Sequence, residues 1–149
     1  MMGKCTRLAW KIAVEAHGDQ MYGSKPYIHH LLQVFEGTKR SAKAYNPAGV
    51  ILDEVCAVAI LHDVLEDTDI TPGKLVIAGL PFNVVSSIIT LTKYKGEDYD
   101  RYISGIKKDT MALMVKREDT MKNLTQSQKE GNNKRIIKYS NQLKLLYEV

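Results

Sequence analysis

Apolar residues recur along this chain at three- and four-residue intervals and hardly anywhere in strict alternation, so the pattern predicts helices throughout. Leu8, Ile12 and Ala16 sit four apart and set the inward face of a first helix, closed by His17 and Gly18. The stretch from Gly18 to Pro26, with Gly23 and Ser24 inside it, reads as a loop. A second helix is expected over about 28–42, with Leu31, Val34 and Phe35 inward and His30 in its first turn. After the break at Asn46-Pro47-Ala48-Gly49, the most apolar stretch predicts a helix over about 50–65, in which Val55, Val58, Ala59 and His62 lie on neighbouring turns. Thr71 before Pro72 is helix-start chemistry, a capping hydroxyl followed by a residue with no amide hydrogen to lose. Pro81 opens another helix carrying Val84, Val85, Ile88, Ile89 and Leu91, and Gly96 precedes one through Tyr99, Tyr102, Ile103 and Ile106. Two more are expected over about 109–124 and 132–147, the last with Ile136, Ile137, Tyr139, Leu143 and Leu146 as its apolar set. The expected fold is all-α, a single compact bundle of about six or seven helices that takes in residues 1–149.

Composition changes this picture little. A chain of 149 residues can remove roughly 70% of its unfolded surface from water, so it needs no staples. Cys5 and Cys56 make no disulfide framework or thiolate site. The apolar runs Val55–Leu61 and Val84–Leu91 fall far short of the roughly 20 residues that span a bilayer. No signal-peptide run follows Lys4 and Arg7. A cytoplasmic protein with no membrane partner is expected.

Charge is more informative. The formal net charge is +4, yet Asp53, Glu54, Asp63, Glu66, Asp67 and Asp69 follow one another without an intervening Lys or Arg. The segment 129–144 is basic, with Lys129, Lys134, Arg135, Lys138 and Lys144 against Glu130. An acidic centre in a basic protein suits a metal cluster that meets an anionic substrate. Basic residues spaced along helices are more often solvated faces, so nucleic acid is not the expected partner. Oligomeric state is not legible.

The segment His62-Asp63-Val64-Leu65-Glu66-Asp67 carries the chemistry. On a continuous helix His62 and Glu66 share a face, as do Asp63 and Asp67. Three carboxylates at the end of an apolar run repel one another unless a cation lies among them. Imidazoles with carboxylates form a mixed nitrogen and oxygen shell suited to Mn, Fe, Co or Zn rather than Ca. His29 rivals His30, because neighbours on a helix point about 100° apart, and Glu118 rivals Asp119 in the same way. His17 is expected to be structural.

The chain resembles the HD-domain phosphohydrolases, and more narrowly the hydrolase domain of bifunctional alarmone synthetase/hydrolases and their small stand-alone relatives. The resemblance covers most of the sequence and rests on four elements in order. Ala16-His17, Gln20 and Pro26-Tyr27-Ile28-His29-His30 match the opening; His62-Asp63-Val64-Leu65-Glu66-Asp67-Thr68 matches the central signature. Leu91-Thr92-Lys93 and Val115-Lys116-Arg117-Glu118-Asp119-Thr120-Met121-Lys122-Asn123 match the remainder. The resemblance implies an HD-domain helical bundle with His30, His62, Asp63 and Asp119 as metal ligands and manganese as the cofactor, other divalent transition ions being alternatives. It implies Glu66 and Asp67 as the pair that orients water and handles its proton. It also implies hydrolysis of guanosine tetra- or pentaphosphate at the 3′ position, releasing pyrophosphate and GDP or GTP. Lys116, Asn123, Tyr22 and Lys93 are then candidate contacts to the nucleotide, with Lys95 at the rim. Nothing beyond these elements matches a synthetase domain, so a hydrolase alone is expected.

Two departures bear on the substrate. Gln20-Met21-Tyr22 lacks the arginine that many alarmone hydrolases carry in this loop, and Asp119-Thr120-Met121-Lys122-Asn123 lacks the frequent arginine and histidine. Two other classes therefore stand beside the alarmone reading. One is a phosphatase or nucleotidase acting on a deoxynucleotide or NADPH; the other is a non-catalytic nucleotide or nucleic-acid binder.

Overall fold

Seven consecutive buried residues, Val55 to Leu61, put one helix at the middle of the protein. A helix apolar all round must be covered on every side, and here its neighbours come from both halves of the chain. The computed structural model describes residues 2–149. In order these form α1 (Lys4–His17), β1 (Met21–Tyr22), β2 (Lys25–Pro26), α2 (Tyr27–Ala44), α3 (Leu52–Leu61) and α4 (Val64–Asp67). They continue with α5 (Pro72–Ala78), α6 (Phe82–Leu91), α7 (Tyr99–Lys107), α8 (Thr110–Glu130) and α9 (Asn133–Tyr147). α1, α2, α6 and α8 pack around α3, and α9 lies along α8. The fold is thus the expected all-α bundle, with nine helices among the described residues rather than six or seven. No helix among them is long and apolar enough to cross a membrane.

The extra elements have local causes. The helix expected over 50–65 stops at Leu61 and resumes as α4, with Asp63 between them at φ −109°, ψ 1°. Its start also slips to Leu52. The break falls on the pair of residues singled out for chemistry, so the shared-face argument for a continuous helix does not hold there. The first loop contains a minimal antiparallel hairpin, Met21 opposite Pro26 and Tyr22 opposite Lys25. Gly23 turns it at φ +61°, where other residues are strained.

α1 faces the core with Thr6, Ala9, Ala13 and His17. Leu8, Ile12 and Ala16 flank that contact, partly buried. Small residues at the centre of the seam let α1 approach α3 closely. Asp53 closes the other end of the arrangement: its carboxylate accepts from the backbone amides of Cys5 and Thr6, both at 2.9 Å, and from the Thr6 hydroxyl at 2.6 Å. Gly3 precedes the helix and supplies no capping side chain, so a residue from α3 caps α1.

α8 runs about two turns beyond its expected end, to Glu130, and closes on Gly131 at φ +64°. Ser127 is buried in that extension, which a purely apolar criterion overlooks. In α9, Leu146 is fully buried but Ile137 is 62% exposed. Gln142 turns inward instead, accepting from the Thr120 hydroxyl and donating to Tyr99.

Candidate metal centre

Three helices deliver the polar residues at the base of the main cleft. α2 brings His30 and α8 brings Asp119, while His62 sits where α3 ends. One ligand atom from each lies within 4.8 Å of the others. All three are buried, His30 with 1% of its surface exposed. Asp119 Oδ1 is 3.1 Å from His30 Nε2 and 3.3 Å from His62 Nε2.

The donor chemistry fits a divalent ion. His62 Nδ1 is 2.7 Å from the Ala59 carbonyl, an acceptor only, so Nδ1 carries the hydrogen. Nε2 faces Asp63 Oδ2 at 3.1 Å and Asp119 Oδ1 at 3.3 Å, buried between the two carboxylates. Two carboxylates at that nitrogen call for a positive charge between them, supplied by a proton on the ring or by a cation that replaces it. Burial alone would lower the His62 pKa, yet the Asp63 and Asp119 carboxylates outweigh it and hold it well above the ordinary imidazole value. For Asp119 burial acts upward, and Lys116 and His62 overcome it to hold the carboxyl well below its usual range.

Asp63 stands beside the triad. Burial would raise its pKa, but His62 draws it below the usual value, and Tyr27 donates its hydroxyl to Oδ2. Lys116 Nζ lies 3.2 Å from Asp119 Oδ2, and Asn123 Nδ2 donates to Asp119 Oδ1 at 3.1 Å. Tyr22 donates to Asn123 Oδ1 at 2.5 Å and stacks on His30. Glu66 lines the cleft, its Oε1 accepting from the Lys93 amide at 2.6 Å, and partial desolvation pushes its carboxyl up.

Asp67 is placed differently from Glu66. It lies outside the cleft lining, with Oδ2 accepting from Gln20 Nε2 at 3.1 Å, while Gln20 Oε1 meets His17 Nδ1 at 2.9 Å. His17 is buried against Tyr27, ring centroids 4.8 Å apart. The two rivals fall away from the cluster. His29 meets Lys25, and Glu118 accepts from the Ser41 hydroxyl at 2.7 Å.

The cleft encloses about 530 Å³. Its walls include residues that the sequence reading did not assign to a site: Tyr27, Tyr99, Tyr102 and, from α9, Arg135, Lys138 and Tyr139. Arg135 stands three residues before Lys138 and four before Tyr139, so it shares a helix side with each. That spacing was the available signal, hidden within what reads as a basic solvated segment.

No protein-family model and no curated protein matches the chain. Among solved structures it is similar to one described as "A metazoan ortholog of SpoT hydrolyzes ppGpp and plays a role in starvation responses". The TM-score is 0.74 at 21% sequence identity, over 98% of this chain and 85% of that one. The two chains share their fold.

Proposed function

We propose that this protein is a metal-dependent phosphohydrolase that cleaves the 3′-pyrophosphate from guanosine tetraphosphate. The observation that carries the reading is the His30, His62 and Asp119 cluster at the base of a cleft whose outer walls are cationic and aromatic. The sequence resemblance to alarmone hydrolases and the reported activity of the structural neighbour support the same substrate.

His30, His62 and Asp119 would hold the ion, with Asp63 as a fourth ligand, and manganese suits their mixed nitrogen and oxygen set. The ion would supply a Lewis acid and a water of lowered pKa. Glu66, which lines the same cleft, would take the proton of the attacking water. Water adds to the phosphorus of the 3′ ester, the bond from that phosphorus to the ribose 3′ oxygen breaks, and the oxygen leaves with a proton. The products are pyrophosphate and GDP. Lys93, Arg135 and Lys138 give the phosphate groups cationic partners, while the tyrosines offer faces on which a base can stack.

Incubating the protein and Mn with a nucleotide panel, followed by chromatography, tests the reading. Guanosine tetraphosphate should give GDP and pyrophosphate, with no inorganic phosphate. If it stays intact while NADPH or a nucleoside monophosphate loses phosphate, the alarmone substrate is wrong and the metal-dependent chemistry stands. A protein that binds Mn and turns over none of the panel is a binder, not a hydrolase.

A further inference from the structure

The two histidines of the cluster are held in different ways. A ligating imidazole is ordinarily fixed by a hydrogen bond at its other ring nitrogen. His62 has this, from Nδ1 to the Ala59 carbonyl at 2.7 Å. His30 does not. Its Nδ1 is buried with no hydrogen-bond partner, so nothing at that end of the ring sets its plane. What lies against it is Tyr22, with ring centroids 4.3 Å apart and planes only 20° from parallel. Tyr27, at 5.4 Å and 49°, makes a looser contact.

Tyr22 also reaches the third member of the triad. Its hydroxyl donates to Asn123 Oδ1 at 2.5 Å, and the other end of that amide donates to Asp119 Oδ1 at 3.1 Å. The Asp119 contact fixes which way the amide faces, because reversing it would set the amide oxygen against the Asp119 carboxylate, and this leaves Oδ1 as the acceptor for the Tyr22 hydroxyl. Asn123 thereby presents a donor to the same oxygen that faces both histidines. Tyr22 itself is anchored by the hairpin, through its pairing with Lys25 and the left-handed turn at Gly23.

The geometry points to Tyr22 as a positioning residue of the metal centre, one that clamps the His30 ring by stacking and Asp119 through Asn123. This rests on the cluster being a metal site, as in the proposed function, but assigns Tyr22 a part in building that site rather than in contacting nucleotide. It also accounts for a tyrosine whose hydroxyl is committed before any substrate arrives.

The test uses the full chain as wild type, Tyr22→Phe and Tyr22→Leu. Calorimetric titration with Mn or Zn should show Tyr22→Leu binding the ion about 10–100-fold more weakly. Tyr22→Phe, which keeps the ring and loses the tether, should fall between the two. The Co-substituted proteins should show the same order in their visible spectra, with Tyr22→Leu departing most from wild type. In metal-free protein, the His30 ring protons should carry an upfield shift from the stacked phenol that persists in Tyr22→Phe and vanishes in Tyr22→Leu. Equal metal affinity in wild type and Tyr22→Leu overturns the inference, as does a His30 proton shift that ignores the substitution. If the wild type binds no ion at all, the metal-site reading fails instead, and the clamping of His30 by Tyr22 is still decided by the ring-proton shifts.

Discussion

Lys116 shows what a residue's number in a motif does and does not say. By sequence it is a candidate for phosphate, yet its amine sits 3.2 Å from Asp119 Oδ2, and that attraction outweighs burial to hold its pKa above the usual lysine value. Removing one partner of a buried pair leaves the other uncompensated. Lys116→Met should therefore lower the melting temperature of metal-free protein more than that of the ion-loaded form, where a second cation is present. Equal losses in both forms would place Lys116 outside the cluster's charge balance. Glu66 predicts a different outcome, since it lines the cleft without joining the triad. Glu66→Gln should retain stoichiometric ion by elemental analysis and slow turnover by about 10²–10⁴-fold if it moves the proton. At this scale the residue types were readable and their facing was not. Residue type alone could not choose His30 over His29, because adjacent positions differ only in where the helix backbone points them, and only the family register favoured His30. The chain entry at Pro26 and the packing of Leu31 and Val34 make that choice.

Helix ends are where the elements depart from their sequence pattern, and α1 shows the reason. Its cap comes from Asp53, a residue 47 or 48 positions away in the chain, so no local motif could announce it. Burial would raise the Asp53 carboxyl, but the hydroxyl and amide of Thr6 and the amide of Cys5 prevail and hold it below the ordinary value. A depressed pKa in the folded state contributes stability that is complete above the unfolded value, about 3.9. That contribution is lost as pH falls through the lower folded value. Asp53→Asn should cost about 1 kcal/mol at neutral pH and flatten the acid limb of the stability curve below about pH 4. Urea denaturation at pH 7 and at pH 3 measures both; a constant difference at the two would remove Asp53 as a titrating cap. The expected cap at Thr71, by contrast, is local and stands where the pattern put it, accepting from the Lys74 amide. The break between α3 and α4 has the opposite character. The run from Val55 onward is uniformly apolar, so periodicity has nothing to say about where its helix ends.

For the molecule as a whole, the bundle was legible because nearly every helix shows one face to the core, and α3 shows none to solvent along Val55–Leu61. Full burial of each Val, Leu or Ile there is worth roughly 1.5–3 kcal/mol over exposure. The core therefore does not depend on the cluster. Chelation should leave far-UV circular dichroism unchanged, while hydrogen exchange over residues 60–68 quickens relative to the rest of α3. Equal protection with and without chelator would mean that no ion braces this segment. The cleft was only half legible. Its acidic base is written in short motifs, whereas Arg135, Lys138 and Tyr139 join it solely because α9 folds back along α8.

His30 and Asp119 are 89 residues apart in the chain, and their meeting has a mechanical consequence. An ion shared between them ties the start of α2 to the middle of α8 and closes the intervening polypeptide into a ring, as a covalent crosslink would, but one that a chelator can untie. A chain pulled from its two ends in an optical trap should then lengthen in two stages when loaded. The ring would hold its slack until the ligands let go. The metal-free chain would release the same contour length with no such second step.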